Sequence, residues 1–239
     1  MKMELKGNFG KCVFGDCVKL LEECEKFDVA FVDPPYNVHT DKQRTSKNGK
    51  IYSKDVTVSY DNDFSKADYE NFSRTWFDSL KRIASRIIIT PGRDNELWWR
   101  NAYPFKVMIW IIKNGQSRCS ISQFARYEPI LFYNFDKTYV EDYVDVYLNN
   151  GFLRFDQEIG ILVHPHPKPS RLVEKILLPA HPMSVIDPML GSGTTAFVCE
   201  KHGIPWLGFE ILEAYASDIK KQIQAGVQEY EKIKRKKMF

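Results

Sequence analysis

Short runs rich in Val, Ile, Phe and Tyr alternate with longer amphipathic stretches along most of the chain, and this alternation constrains the fold more than any other feature. Strands are predicted at Cys12–Phe14, Val29–Val32, Arg86–Thr90, Lys106–Ile112, Glu128–Tyr133, Ser184–Ile186 and Trp206–Phe209. Helices are predicted at Asp16–Lys26, Lys66–Ala84, Asp94–Asn101, Arg171–Leu178, Thr194–His202 and Leu212–Lys236. Strands and helices taking turns in this way read as a doubly wound α/β sheet with helices on both faces. Two stretches stay outside the alternation. Residues 37–63 are polar and lysine-rich and are expected to form a mobile loop; residues 134–163 are acidic and aromatic and read as a small insert.

The 239 residues suit one large domain spanning 1–239. With 44% hydrophobic residues and a net charge of only +3, the chain is not of the disordered class. No apolar run approaches the roughly 18 residues of a membrane span, and MKMELKGNFG lacks a signal peptide's apolar stretch, so a cytoplasmic location without membrane contact is expected. Five cysteines without a CxxC pair read as free thiols, with no metal site. His164, His166 and His181 have prolines nearby and no clustered acids, which favours loop positions over metal ligation.

The distribution of charge says more than its sum. Asn37 to Lys54 holds five basic residues (Lys42, Arg44, Lys47, Lys50, Lys54) against one acid, Asp41. Lys113 to Arg126 holds three basic residues and no acid, and the chain closes on a lysine-rich run. Any one of these is an ordinary solvated face; together they favour a polyanionic partner.

Two strand ends carry the chemistry. Val29–Val32 runs into Asp33-Pro34-Pro35-Tyr36-Asn37. Ligands of open α/β sheets bind outside the carboxyl ends of strands, where this segment lies. Two prolines fix the backbone and leave rigid carbonyl acceptors beside a carboxylate, a pair that suits an –NH₂ group. Tyr36 offers a flat face for stacking.

Val185-Ile186 leads into Asp187-Pro188-Met189-Leu190-Gly191-Ser192-Gly193-Thr194-Thr195, a glycine loop opening a helix. No Lys follows Gly193, so a triphosphate-binding loop is disfavoured. Gly191, Gly193 and Ala196 fit a dinucleotide fingerprint, with Glu210 at the end of the next strand, which keeps a NAD-dependent oxidoreductase open. S-adenosylmethionine is the competing ligand. Asp187 favours it, because a carboxylate there suits a cationic amino acid and repels a pyrophosphate.

Taken together, these segments resemble the amino methyltransferases of DNA in the β arrangement, in which a DPPY segment comes first and the glycine loop lies near the C-terminus. His164-Pro165-His166-Pro167-Lys168-Pro169 resembles the family's HPTxKP box, Phe14–Cys17 its GDC box, and Gly208-Phe209-Glu210 its G-[IF]-[ED] strand end. The resemblance implies an S-adenosylmethionine-dependent, Rossmann-like fold whose mostly parallel sheet contains one antiparallel strand. It implies that Asp33 and the Pro34 carbonyl, held by Pro35, accept hydrogen bonds from the target amino group while Tyr36 stacks on the extruded base. Asp187, Pro188, Gly191, Ser192 and Gly193 are then expected at the methionine end of the cofactor and Glu210 at its ribose. Asp16 and Cys17 are expected near its adenine, with Asp33 bordering the pocket and Lys168 and Thr194 closing it.

The reaction implied is in-line transfer of a methyl group to a flipped-out base in DNA, in a restriction-modification setting of prokaryotic or viral type. Asp rather than Ser before Pro-Pro-Tyr favours N6 of adenine over N4 of cytosine. With no Pro-Cys in the chain, methylation at cytosine C5 is excluded. Asn37, Lys42, Arg44, Lys47, Lys113, Arg118 and Arg126 are the expected DNA contacts, with 134–163 as a short target-recognition region. Trp98-Trp99 reads as core or as a dimer surface rather than a base platform; family members often pair, and these tryptophans with the aromatic stretch Tyr139–Tyr147 are the candidate surface for a homodimer.

Overall fold

The computed structural model describes residues 2–37, 64–114, 126–148, 155–156, 160–162, 164 and 166–236. The strands are β1 (Glu4–Lys6), β2 (Gly10–Phe14), β3 (Phe27–Val32), β4 (Ala84–Ile89), β5 (Lys106–Ile111), β6 (Tyr127–Tyr133), β7 (Tyr143–Asp145), β8 (Phe155–Asp156), β9 (Gly160–Ile161), β10 (Val185–Asp187) and β11 (Trp206–Glu210). The helices are α1 (Cys17–Leu21), α2 (Lys66–Ile83), α3 (Glu96–Ala102), α4 (Ser170–Leu177), α5 (Thr194–His202) and α6 (Ala216–Lys236). All seven predicted strands and all six predicted helices are present.

Nine strands form one sheet in the order β1-β2-β11-β10-β3-β4-β6-β5-β7, while β8 and β9 pair separately. β2, β11, β10, β3 and β4 are parallel, and β6 runs antiparallel between β4 and β5. A second antiparallel strand, the three-residue β1, sits at the edge against β2. It is too short to carry a periodicity.

Alternation along the strands divides the core in two. Val29 and Phe31 of β3 face a layer containing Leu172, Ile176, Phe197 and Ile219 from α4, α5 and α6. Ala30 and Val32 face the opposite layer, containing Leu20, Trp76, Phe77, Leu80 and Trp99 from α1, α2 and α3. A one-residue slip would exchange the two sets, so the register is strongly specified.

Packing refines several expectations. α1 ends at Leu21 rather than Lys26, where Glu22, Glu23 and Glu25 oppose the negative end of a helix. α6 begins at Ala216, after a 3-10 turn over Glu213–Tyr215. The described part of 134–163 is joined to the main sheet: β7 lies beside β5, Val144, Val146 and Leu148 are buried, and the Trp110 indole donates to the Val146 carbonyl at 2.8 Å. Trp99 is fully buried among Trp76, Phe77, Tyr103 and Phe105, so it serves this chain's own core and is not available as a surface for pairing. Trp98 packs on Tyr69 and lies under Arg74. The expected basic loop falls at 38–63, outside the described residues apart from Asn37.

Among the described residues no helix is long and apolar enough to cross a membrane.

Candidate active site

The site forms where the sheet changes direction of winding. β3 and β10 are hydrogen-bonded neighbours, yet β3 leads to helices on one face and β10 to α5 on the other. Their carboxyl ends therefore open a crevice, which is where an α/β sheet places a ligand. The two motif-bearing segments, distant in sequence, meet there.

Asp33 leaves β3 with both carboxylate oxygens engaged. Oδ1 accepts from Thr90 Oγ1 at 2.6 Å and from the Tyr36 hydroxyl at 2.9 Å; Oδ2 accepts from Lys168 Nζ at 2.8 Å. Lys168 also donates to the Tyr36 oxygen at 2.8 Å, and Glu128 Oε2 lies 3.4 Å from that same oxygen. Asn95 clamps the turn by donating to the carbonyls of Tyr36 and Pro91 at 2.9 and 3.0 Å. Gly92, at φ +73°, lies against the Tyr36 ring, and a Cβ there would fall 3.0 Å from ring carbons. Burial, with Asp33 and Glu128 adding negative charge, holds the Tyr36 phenol well above its ordinary pKa, so the ring keeps its proton. Burial also raises Glu128, while Lys168 pulls it down.

The second wall is the glycine loop after β10. Gly191 and Gly193 adopt φ +57° and +93°, a region that other residues enter only with strain. A Cβ on Gly193 would sit 3.0 Å from the Ile219 backbone of α6, so the loop closes tightly on that helix. Asp187 is buried beneath it, its Oδ1 accepting from the Met189 N–H at 3.0 Å, and burial pushes its carboxyl up to about 7. Pro188 and Ser192 are buried in the same loop. Thr194 Oγ1 contacts Ser192 Oγ and donates to the Lys168 carbonyl, each at 3.1 Å.

Glu210 ends β11. Its Oε2 accepts from the Gly191 N–H and its Oε1 from the Leu212 N–H, both at 2.8 Å. An ionised carboxylate is an acceptor only, with about four lone-pair sites, the chemistry that suits a diol. Asp16 caps α1, its Oδ1 accepting from the Val18 N–H at 3.0 Å, and the Gly15 N–H donates to the Glu210 carbonyl. Asp16 and Cys17 thus stand next to Glu210, across the β2–β11 pairing. Burial, reinforced by Asp16, pushes the Cys17 thiol up to about 12, so it is no nucleophile.

Sequence reasoning missed Thr90, Gly92, Asn95, Glu128, Asp218 and Gln222. Glu128 had no signal, because only the reversed direction of β6 brings its start to the carboxyl end of β4. Asp218 and Gln222 sit on a helix whose pattern marks them merely as polar. Asp218 Oδ2 accepts from the His164 N–H at 2.7 Å; its Oδ1 and both side-chain polar atoms of Gln222 are buried without a hydrogen-bond partner in the described structure. They back the glycine loop, where such groups suit a polar ligand.

The expected nucleic-acid contacts are less unified. Asn37, at φ +50°, donates to the Phe64 carbonyl at 3.1 Å, and so ties together the two flanks of 38–63. Lys113 pairs with Asp145, and Arg126 donates to the Lys113 carbonyl. Lys42, Arg44, Lys47 and Arg118 lie outside the described residues. Among the described residues no group of His, Cys, Asp or Glu is arranged to hold a metal ion.

Comparison with known proteins places the chain in a family. The type II methyltransferase M.HinfI of Haemophilus influenzae is 26% identical over 263 aligned positions, covering 94% of this chain and 71% of that protein. The fold is shared with the M1.HpyAVI–SAM complex (TM-score 0.59, 16% identity, 90% of this chain and 99% of that one). It is shared also with the cytosine-N4-specific PvuII DNA methyltransferase (TM-score 0.61, 14% identity, 95% and 93%). The profile of the N6/N4 DNA methylases matches residues 27–221, from the first residue of β3 into α6, and by that match this chain belongs to the N6/N4 family of DNA methylases.

Proposed function

We propose that this protein transfers a methyl group from S-adenosylmethionine to the exocyclic N6 of adenine in DNA, acting on a base turned out of the helix. The observation that carries the reading is the adjacency of the Asp33 carboxylate to the glycine loop of Gly191 and Gly193 through the pairing of β3 with β10. One strand end offers acceptors for an amino group, and its neighbour offers a cradle for a methyl donor.

The residues present fit that donor. The Glu210 carboxylate is an acceptor of the kind that suits the ribose hydroxyls, and Asp16 and Cys17 border the adenine side. Asp187 lies below a loop whose glycines allow close backbone approach, and the unpartnered atoms of Asp218 and Gln222 suit an amino-acid end. When bound, S-adenosylmethionine supplies an electrophilic methyl group carried on a cationic sulfur. A nicotinamide reading of the same loop has no use for Asp33, Tyr36 or the basic segments.

The rest of the mechanism belongs to the chain. An aromatic amino nitrogen is a poor nucleophile because its lone pair is delocalised into the ring. Asp33 and the Pro34 carbonyl, accepting its hydrogens, favour a pyramidal nitrogen with its lone pair available in line. The Asp33 charge also offsets the positive charge that grows on nitrogen as its bond to the methyl group forms and the methyl–sulfur bond breaks. The methylated nitrogen then returns to neutrality by releasing one proton, first to the carboxylate it is hydrogen-bonded to and from there to water. Tyr36 is braced by Gly92 and Asn95 and keeps its proton, so it presents a neutral ring for stacking. Stacking offsets part of the few kcal/mol that unstacking the base costs.

The test is methyl transfer from S-adenosylmethionine to unmethylated genomic DNA, read by mass spectrometry of the nucleosides, with Asp33→Ala in parallel. N6-methyladenine that disappears in the variant is the expected result. N4-methylcytosine would overturn the choice of base, and no modified base at all would overturn the reaction.

A further inference from the structure

Asp33 is engaged on both oxygens, but not by equally fixed partners. Thr90 is fully buried just after β4, and Tyr36 is clamped by Asn95 and pressed on Gly92. Lys168 differs. Its backbone is pinned by Thr194 donating to its carbonyl, yet its ammonium stands at the end of four rotatable methylenes. That ammonium is an N–H donor 2.8 Å from Asp33 Oδ2, the position and chemistry required of a target amino group.

The two oppose one another there. The amino nitrogen gains positive charge as it is methylated, and an ammonium held on the same carboxylate oxygen opposes that charge at short range. A second carboxylate stands ready: Glu128 Oε2, on the start of β6, lies 3.4 Å from the Tyr36 oxygen that Lys168 also touches.

We propose that Lys168 is a placeholder on Asp33, which surrenders Oδ2 to the incoming amino group by swinging past the Tyr36 hydroxyl to Glu128. Exchange of one carboxylate for the other keeps the lysine paired throughout, so displacement requires no charge to be stripped bare in a largely buried site, where the Lys168 side chain is 11% exposed and that of Asp33 24%. Lys168 is then a positioning residue that guards the catalytic carboxylate until a base arrives. This differs from the cofactor-closing role that the family resemblance implies for it, and it rests on the methyl-transfer reading above.

Steady-state methylation of unmethylated genomic DNA at saturating S-adenosylmethionine tests it, with separate calorimetry of cofactor binding. Lys168→Met, of similar shape without charge, is expected to lower the KM for DNA about fivefold while cofactor affinity changes less than about twofold. Glu128→Gln, which keeps the shape but removes the receiving charge, is expected to raise that KM severalfold. The effect of Glu128→Gln should vanish in the Lys168→Met background, because without the lysine nothing needs to be received. A merely structural role would leave the two substitutions additive. Loss of cofactor affinity in Lys168→Met, or a fall in kcat at unchanged KM, overturns the placeholder and assigns Lys168 to the cofactor or to the chemistry. An inactive wild-type protein overturns the methylation reading itself, and this inference with it.

Discussion

The Gly191 N–H donates to Glu210 Oε2 at 2.8 Å, so the glycine loop after β10 is tied to the tip of the neighbouring strand β11. The same carboxylate holds the Leu212 N–H through its other oxygen. One side chain thereby sets the shape of the loop and, on the proposed reading, holds the cofactor ribose.

Glu210→Ala is accordingly expected to weaken S-adenosylmethionine binding by roughly 10- to 100-fold, corresponding to about 1.4–2.8 kcal/mol from lost charge-assisted hydrogen bonds. Isothermal titration calorimetry measures this directly. Glu210→Gln keeps an acceptor and should lose less.

Gly193→Ala puts a methyl group 3.0 Å from the Ile219 backbone at a φ of +93°. Strain of about 1–3 kcal/mol is expected, relieved only by shifting the loop away from α6. Cofactor affinity should fall together with thermal stability, and unchanged affinity would show that the loop tolerates the shift.

Asp187 gives a pH signature. Burial raises its carboxyl to about 7, against an unfolded value near 4. The folded chain therefore holds a proton there that the unfolded chain has released. This contribution to stability is present in full below about pH 4 and is lost as pH rises through about 7. Asp187→Asn should remove that slope, visible in urea unfolding at pH 5 and pH 8. In the wild type, a cationic ligand bound by the ionised carboxylate should bind more tightly as pH rises through 7, and the variant should lose that dependence.

Glu200 of α5 is fully buried, accepting from the Asn8 and Phe9 N–H groups at 3.0 Å and from the Trp206 indole at 2.8 Å. It ties the turn between β1 and β2 to α5 and β11, far from the site chemistry. Glu200→Ala leaves three donors without their acceptor, at a cost of about 3 kcal/mol. A fall in Tm of roughly 6–12 °C is expected, with methyl transfer at low temperature retained.

What was legible in the sequence follows from what is local. Val29–Val32 reads as a buried strand because four apolar residues run up to a carboxylate and two prolines, and the glycine loop is marked by the positive φ that its turn demands. β1, β7, β8 and β9 are not legible because strands of two or three residues show no period, and unlike the equally short β10 they do not run into a glycine loop that marks them. Trp98-Trp99 reads as core or pairing surface alike, because the sequence shows an aromatic pair but not which member turns inward.

The sequence by itself determined the alternating α/β architecture, the two strand ends that carry chemistry, and the residue types set there. Tertiary structure alone decided that Lys168 sits on Asp33, that the antiparallel β6 delivers Glu128 to the Tyr36 hydroxyl, and that α6 backs the glycine loop with Asp218 and Gln222. The physical reason is the range of the forces. Periodicity and turn chemistry act over a few neighbouring residues, whereas a buried carboxylate finds its partners only after the sheet has brought distant strand ends together.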